Sequence, residues 1–324
     1  MSDSANKGRV VVVGSFNIDH VWALPALPRP GETLAGTYHT GPGGKGFNQA
    51  TAAARAGAAT AFVCALGDDA GGRLARELAA GDGLDRALRS AEPTGTAGIY
   101  VDADGRNTIV IGPGANAELS PAFVGEHAAA LDAAQVALTQ LETPLESAIA
   151  AFARARCRRI DPAQPGPGRR GRQRRAVGAD RHRHAERNRV LRTVAAPRRD
   201  ALDPDALAGL DDAALHAHCR RLLAHGSVVI TLGKSGCFVS HANGALRGDA
   251  QAFYRVAAAA VKAIDTTGAG DAFNGALAAA LARDPDAAFG EHVRYAVRFA
   301  GLSTERAGAA AAMPSDAELR ARFG

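Results

Sequence analysis

Short apolar runs alternate with stretches of helical periodicity along most of this chain. The run 10–14, in which four valines end at a glycine, predicts a buried first strand, and 60–66 and 227–232 predict two more. A fourth strand is predicted at 134–141, and helices at 50–58, 73–80, 120–131 and 145–155. Because strands and helices alternate, the pattern predicts an α/β fold with a parallel sheet covered on both faces.

One pair of apolar runs departs from this alternation. The runs 97–101 and 107–111 flank the sequence Asp-Ala-Asp-Gly at 102–105. Acidic and glycine residues between two short apolar runs are typical of a β-hairpin turn. A separate antiparallel pair of strands is therefore expected here.

The segment from Cys157 to Arg199 has neither a helical nor a strand period. The stretch 154–199 holds sixteen arginines against three acidic residues, so the rest of the chain is acidic although the net charge is +5. One interpretation is a disordered basic insertion. We favour a second, translation out of frame from GC-rich DNA, because so long a structureless stretch is uncommon inside a compact domain.

Composition narrows the class of protein. With 324 residues, of which 47% are hydrophobic, the chain can bury a large core. No apolar run reaches membrane-spanning length, and residues 1–8 are polar without the apolar core of a signal peptide. The four cysteines show no Cys-x-x-Cys pairing, which argues against a disulfide framework or a zinc site. A cytoplasmic protein with no membrane partner is expected.

The tetrad Gly268-Ala269-Gly270-Asp271 stands just before the apolar run 272–281. It predicts a loop at a helix N-terminus, where first-turn N–H groups lack partners and, with the helix dipole, attract an anion. An anion site beside a carboxylate base is what phosphoryl transfer to a hydroxyl requires. An ordinary Asp N-cap with glycines for the turn accounts for the same residues equally well.

Two upstream motifs offer groups for a polyhydroxylated ligand. The run 43–49, Gly-Gly-Lys-Gly-Phe-Asn-Gln, leads into the helix predicted at 50–58. Its glycines would let such a ligand approach backbone amides, and Lys45 and Asn48 add donors. Asn17 and Asp19 point to one side after the first strand, where an amide and a carboxylate suit a vicinal diol. The alternatives are a glycine turn with a solvated lysine and an Asx turn.

A small-residue loop closes the strand predicted at 227–232. It comprises Thr231, Leu232, Gly233, Lys234, Ser235 and Gly236. Loops of this kind at the carboxyl end of a strand suit nucleotide phosphates. A plain turn from strand to helix is the alternative.

Together these motifs resemble those of the PfkB family of carbohydrate kinases, and within it the ribokinases. The resemblance covers 9–156 and 227–314. The stretches 14–20, 30–33 and 43–49 look like the family's N-terminal signature, and 265–271 looks like its C-terminal one. The G-G-K-G-x-N-Q run, with N-x-D-H upstream, favours ribokinases over fructose-phosphate or nucleoside kinases.

This resemblance implies an ATP-dependent kinase that phosphorylates the O5 hydroxyl of D-ribose, giving ribose 5-phosphate and ADP. Asp271 would be the base, with an anion hole formed by Gly268, Ala269 and Gly270. The implied sugar-binding residues are Asn17, Ile18, Asp19, Gly43, Gly44, Lys45, Gly46, Asn48, Glu142 and Asp271. Residues 231–236 and Gly270 would contact ATP. Mg²⁺ would arrive with ATP, and K⁺ would bind Asp265 and Thr267, with Ser303, Arg306 and Gly308 as weaker candidates.

The resemblance also implies an architecture. A single domain over 9–318 would form a three-layer α/β/α sandwich with a mostly parallel central sheet. A small β-sheet lid would come from segments near 21–40 and 98–111. Such a lid usually covers the sugar and often joins two subunits, so a homodimer is expected.

Two family motifs, N-P-A-P and P-N-E-x-E, are expected within 157–199 and are absent from it. One alternative is therefore an impaired relative that binds sugar or nucleotide without efficient turnover. Another is a kinase for a different pentose or a nucleoside. A nucleic-acid binder using the arginines is a third, but we expect no such partner because the basicity is confined to one segment.

Overall fold

The computed structural model describes residues 8–82, 84, 86–155, 209–242 and 246–324. The arginine-rich segment 157–199 lies outside these ranges. The predictions made for it, including its out-of-frame origin, therefore lie outside the described residues.

Four parallel strands form the first sheet. They are β1 (Arg9–Val13), β4 (Ala59–Gly67), β5 (Arg86–Ser90) and β8 (Val136–Thr139), in the order β5-β4-β1-β8. All three neighbouring pairs are parallel. The predicted strands at 10–14, 60–66 and 134–141 are confirmed, the last one being shorter than expected.

The helices of the described residues cover this sheet on both faces, apart from the helix at 212–222, which packs against a further sheet described below. They are α1 (Lys45–Arg55), α2 (Ala70–Gly81), α3 (Pro121–Glu126), α4 (Ala128–Ala133), α5 (Leu145–Arg154), α6 (Asp212–Leu222), α7 (Ala269–Arg283), α8 (Phe289–Ser303) and α9 (Asp316–Phe323). Val10 and Val12 pack in one core, shared with α1, α7 and α8. Val11 and Val13 pack in another, shared with α3, α4 and α5. Alternate valines of one strand thus face opposite layers, as the predicted sandwich requires.

A separate four-stranded sheet forms the lid. Its strands are β2 (Asn17–Ala23), β3 (Thr37–Gly43), β6 (Gly95–Val101) and β7 (Asn107–Gly112), in the order β3-β2-β6-β7. β6 and β7 pair antiparallel, so the predicted hairpin is confirmed. Trp22 packs between Tyr38 and Tyr100, with ring centroids 5.0 and 5.2 Å away.

The third sheet is antiparallel, in a fold predicted to have a mostly parallel sheet. β9 (Ser227–Thr231), β10 (Cys237–His241) and β11 (Phe253–Val256) pair antiparallel in the order β11-β10-β9. The turn after β9 is a short 3₁₀ turn, Gly233–Ser235, rather than a crossover helix. The chain therefore reverses directly into β10.

Two helix predictions needed correction. The helix expected at 50–58 begins at Lys45 and ends at Arg55, because tertiary contacts described below satisfy its first N–H groups. The helix expected at 120–131 is divided at His127 into α3 and α4. Gly125, which lowers helix propensity, lies in the last turn before this break. Within the part of the chain described, no helix has both the length and the apolar character to cross a bilayer.

Candidate active site

The N-terminus of α7 is formed by the glycine-rich tetrad. Gly268 is the N-cap and adopts φ 73°, the left-handed region that favours glycine. A Cβ on Gly268 would lie 2.9 Å from the Cβ of Ala309, so a side chain there would be both strained and crowded. A Cβ on Gly270 would meet open space. Among the described residues, the N–H groups of Gly270 and Asp271 have no acceptor, whereas that of Ala269, which was expected in the anion hole, donates to the Thr266 carbonyl at 3.2 Å. This helix end is open to an anion.

Asp271 lies in the first turn of α7 and is held by two amides from α1. Asn48 Nδ2 donates to Asp271 Oδ2 at 3.1 Å, and Gln49 Nε2 donates to Asp271 Oδ1 at 2.9 Å. Burial raises the pKa of Asp271 to about 6, although the two amide hydrogen bonds oppose this. The charge of Glu142 raises the same pKa and that of Lys45 lowers it. A carboxylate with a pKa near neutral is suited to general-base work.

The glycines of the run 43–49 allow close contacts within the protein, in addition to the approach of a ligand that the sequence predicts. A Cβ on Gly43 would lie 2.1 Å from Asp19 Oδ2. One on Gly44, which has φ 87°, would lie 2.8 Å from Phe16 Cα. One on Gly46 would lie 2.4 Å from the backbone nitrogen of Ser15. These glycines let the N-terminus of α1 pack against the backbone that follows β1.

Asn17 and Asp19 lie on β2, paired in register with Gly43 and Gly41 of β3, with Ile18 between them. Asn17 Oδ1 accepts a hydrogen bond from Asn116 Nδ2 at 2.8 Å. Burial raises the pKa of Asp19 to about 6, and the charge of Glu142 adds to the effect. The structure thus places a second carboxylate with a raised pKa on the lid side of the site.

Glu142 connects the elements around the N-terminus of α1. Its Oε2 accepts from Ser15 Oγ at 2.7 Å and from the Lys45 N–H at 3.0 Å, while Lys45 Nζ lies 3.3 Å from Oε1. Ser15 Oγ in turn accepts from the Gly46 N–H at 3.2 Å. A carboxylate at a helix N-terminus is stabilised by the helix dipole. These bonds explain why α1 begins at Lys45.

The predicted nucleotide loop follows β9. The N–H of Leu232 donates to the Gly236 carbonyl at 2.7 Å, which closes the loop around the turn Gly233–Ser235. Gly236 has φ 84°, and a Cβ there would lie 2.0 Å from the Val256 carbonyl oxygen. Lys234 is exposed, as is Ser235. The remaining predicted member, Thr231, is the last residue of β9.

Three of the five predicted potassium residues come together. Asp265 Oδ1 accepts from the Thr267 N–H at 2.9 Å, and Oδ2 accepts from the Gly308 N–H at 2.8 Å. Burial raises the pKa of Asp265, but the hydrogen bonds from Thr267 and Gly308 outweigh it and hold the pKa below its ordinary value. The side chains of the other two have different partners. Ser303 Oγ donates to the Ala300 carbonyl, and Arg306 pairs with Glu318.

Four residues of the site were missed as members of it: Ser15, Gln49, Asn116 and Gln140. Gln49 lies in the motif 43–49, next to Asn48, and Ser15 lies in the motif 14–20, two positions before Asn17. Gln140 is two residues before Glu142. Asn116, in the 3₁₀ turn Gly114–Glu118, offers no local signal, because only the fold brings it beside Phe16 and Asn17.

Residues 7–316 match the profile described as pfkB family carbohydrate kinase. The chain is 32% identical over 319 residues to a ribokinase of Haemophilus influenzae, covering 95% of this chain and 96% of that protein. The structure of ribokinase from Giardia lamblia is similar, with a TM-score of 0.74, 25% identity and coverage of 98% and 99%. Arabidopsis thaliana ribokinase complexed with ribose and ATP gives a TM-score of 0.70 at 25% identity, covering 98% of each chain.

Proposed function

This chain belongs to the pfkB family of carbohydrate kinases, and we propose that within it the protein phosphorylates the O5 hydroxyl of D-ribose with ATP. Its class, a phosphotransferase acting on a sugar hydroxyl, follows from the family. The choice of ribose is supported by the relatives named ribokinase and by the ribose and ATP bound in the Arabidopsis protein. Another pentose or a nucleoside is the alternative substrate.

A single observation carries the mechanism: Asp271 shares its helix end with two N–H groups that have no acceptor among the described residues. Asp271 takes the O5 proton, and O5 then forms a bond to the γ-phosphorus of ATP. The bond from that phosphorus to the β,γ-bridging oxygen breaks, and ADP leaves. The N–H groups of Gly270 and Asp271 stabilise the charge on the transferred group.

On the sugar side, we assign ribose to the face where the lid meets the N-terminus of α1. Asn48 is buried, and its Oδ1 has no hydrogen-bond partner among the described residues, so it can accept from a sugar hydroxyl. Asp19 and Asn17 would hold the hydroxyls on the lid side. Gly43, Gly44, Lys45, Gly46 and Glu142 would shape the pocket, and Ile18 would flank it.

The ions belong to the proposal as well. Each oxygen of Asp265 already accepts one backbone N–H and keeps a further lone pair, so the carboxylate fits a K⁺ ion that would order the loop before α7. Within the described ranges, no three His, Cys, Asp or Glu side chains group to hold a metal. In our proposal Mg²⁺ therefore comes with ATP and keeps most of its water shell. The loop 231–236 would contact the nucleotide.

We also propose one domain over 9–318, a cytoplasmic location and a homodimer formed through the lid. The dimer is supported by four exposed apolar side chains on the lid strands, Tyr38, Ile109, Val110 and Ile111. Sedimentation of the purified protein tests it: Val110→Asp should shift the dimer towards monomer. An unchanged mass in Val110→Asp, or a monomeric parent protein, would refute dimerisation through the lid.

The segment 157–199 supports a second candidate, a relative that binds its ligands but turns over slowly. This stretch lacks the N-P-A-P and P-N-E-x-E motifs of the family, and we propose that it is translated out of frame. Sequencing the gene across codons 156–200 decides the origin. An open frame without compensating insertions and deletions would exclude the out-of-frame origin.

The activity itself is tested by ADP release with ribose, deoxyribose or a nucleoside, with and without K⁺. Asp271→Ala should lower kcat by about three orders of magnitude or more, because both the base and its positioning are lost. Asp286→Ala, in the exposed loop after the same helix, is the matched control and should keep full activity. Ribose binding without turnover in the parent would favour the impaired relative, and turnover that survives Asp271→Ala would refute the base assignment.

A further inference from the structure

Two buried glutamines form a chain that ends on the carboxylate of Asp271. Gln140 Nε2 donates to Gln49 Oε1 at 2.8 Å, and Gln49 Nε2 donates to Asp271 Oδ1 at 2.9 Å. Gln140 directly follows β8, Gln49 lies on α1 and Asp271 begins α7. We propose that Gln140 is a positioning residue for the base: it fixes the Gln49 amide so that its N–H, and not its oxygen, faces Asp271. The catalytic meaning of this relay rests on the proposed function.

The direction of the chain follows from hydrogen-bond chemistry. An ionised carboxylate can only accept, so Gln49 must present its NH₂ group to Asp271. Its Oε1 then faces Gln140, which must donate to it. Without the donor on Gln140, the Gln49 amide could rotate by 180° and accept a hydrogen bond from the carboxyl group once Asp271 is protonated. Gln49 alone therefore does not fix its own orientation.

Gln140 lies in a confined and nearly dry space. Gln140 and Gln49 are 8% and 4% exposed, so water has little access to either amide. A Cβ on Gly14 would lie 1.9 Å from Gln140 Oε1, which shows that the absent side chain of Gly14 leaves the space this amide occupies. Gln140 Oε1 is buried and has no hydrogen-bond partner among the described residues. The fold thus leaves one acceptor unpaired while it keeps the donor directed at Gln49.

The relay should affect the protonation of the base. The groups that face Asp271 are Asn48, Gln49 and Lys45 from α1 and Glu142 from the loop after β8. The two amide donors and Lys45 lower its pKa, while burial and Glu142 raise it. If the Gln49 oxygen faced the carboxylate, one lowering contribution would become a raising one. Loss of Gln140 should therefore raise the pKa of Asp271.

The test is a titration of ¹³C-labelled aspartate carboxyls by NMR, in which Asp271→Asn identifies the Asp271 signal. Gln140→Met should raise the pKa of Asp271 by about one unit above its parent value. Gln135→Met, before the start of the same strand, is the matched control and should leave the pKa of Asp271 unchanged, because the Gln135 side chain accepts the N–H of Arg9 rather than contacting Gln49 or Asp271. Should Gln140→Met not fold, Gln140→Asn, which withdraws the amide by one methylene, carries the same expectation.

A double-mutant cycle separates the relay from a local packing effect. If Gln140 acts through Gln49, the titration of Gln49→Met should not change further when Gln140→Met is added. Additive shifts, or no shift in folded Gln140→Met, would overturn the relay.

Activity measurements keep this inference distinct from the proposed function. In an active enzyme, Gln140→Met should lower kcat about fivefold at pH 6 and little at pH 8, with KM for the sugar unchanged. A shifted titration in a protein that does not phosphorylate ribose would sustain the relay and refute the function. If turnover depends on Asp271 but its pH profile is the same in Gln140→Met, the proposed function would be sustained and the relay refuted.

Discussion

Two helices of this protein begin in nearly the same way and are used oppositely. α1 and α7 are both preceded by a glycine with a positive φ, Gly44 with φ 87° and Gly268 with φ 73°. At α1 the protein's own groups occupy the helix end, since Glu142 accepts the Lys45 N–H. At α7 the N–H groups of Gly270 and Asp271 have no acceptor among the described residues.

The difference shows how one local geometry serves both structure and chemistry. A helix N-terminus stabilises negative charge whether the charge is built in or brought by a ligand. Glu142 permanently occupies the N-terminus of α1. It thereby fixes the positions of Asn48 and Gln49, which donate hydrogen bonds to Asp271. In the proposed function, α7 stays open and is filled only by the transferred phosphoryl group. The closed helix end thus positions the base that serves the open one.

Replacing each of the two capping glycines by alanine should give the largest effects, on rate at Gly268 and on stability at Gly44. Gly268→Ala should lower kcat by about 100-fold, because a Cβ there meets Ala309 and the left-handed backbone disfavours alanine, which displaces the anion-binding N–H groups. Steady-state kinetics with the preferred sugar and thermal unfolding measure the two sides of the prediction. The strain at Gly268 should also lower the melting temperature, but by less than Gly44→Ala does.

Gly44→Ala is the matched variant at the closed helix end. Its Cβ would lie 2.8 Å from the Cα of Phe16, a backbone atom that cannot move aside cheaply. We expect a loss of about 2 kcal/mol or more of unfolding free energy, from strain and displacement of α1. If Gly44→Ala were stable while Gly268→Ala unfolded, the assignment of a structural role to one end and a chemical role to the other would be wrong.

The elements with strong local patterns could be predicted from the sequence. The valine run of β1, the hairpin β6–β7 and the helix behind Gly268-Ala269-Gly270-Asp271 were expected and are present. Each depends on periodicity or turn chemistry within about fifteen residues. The parallel sheet followed from the alternation of such elements.

What the sequence concealed depends on contacts between distant residues. The start of α1 at Lys45 is set by Glu142, 97 positions away, and no local cap marks it. The close contacts of the glycines at 43, 44 and 46 with Asp19 and with the backbone after β1 carry no local signal either. Gln140 had no motif of its own. Predicting such features requires knowing how the strands pair, and the periodicity of the sequence does not give that pairing.

A smaller effect should appear in the pH dependence of stability. Asp271 has a pKa of about 6 in the folded protein against an ordinary value of 3.8, so the folded state holds its proton longer than the unfolded state does. As pH rises from about 4 to 6, the wild type should therefore lose stability relative to Asp271→Asn, by about 1–3 kcal/mol. Urea denaturation of both proteins between pH 4 and 8 measures this difference.

Asp286→Asn gives the baseline for that series, because Asp286 is exposed in the loop after α7. The difference between wild type and Asp286→Asn should stay nearly flat over the same range. If the stability difference between wild type and Asp271→Asn were also independent of pH, Asp271 would not be desolvated. The open helix end would then have no carboxylate with a raised pKa.

The smallest effect is expected from Glu142→Gln, which removes the charge from the closed helix end and keeps its shape. Because Glu142 raises the pKa of both Asp271 and Asp19, its loss should move the acid limb of kcat/KM to lower pH, by about half a unit. The helix would also lose its anionic acceptor at Lys45, which should lower the unfolding free energy by about 1 kcal/mol. Glu77→Gln, at an exposed position in the middle of α2, should change neither quantity. An acid limb that moved to higher pH would mean that Glu142 stabilises ionised Asp271, by holding the amides of α1 in place, more than its charge destabilises it. The two helix ends would then be coupled by geometry rather than by charge.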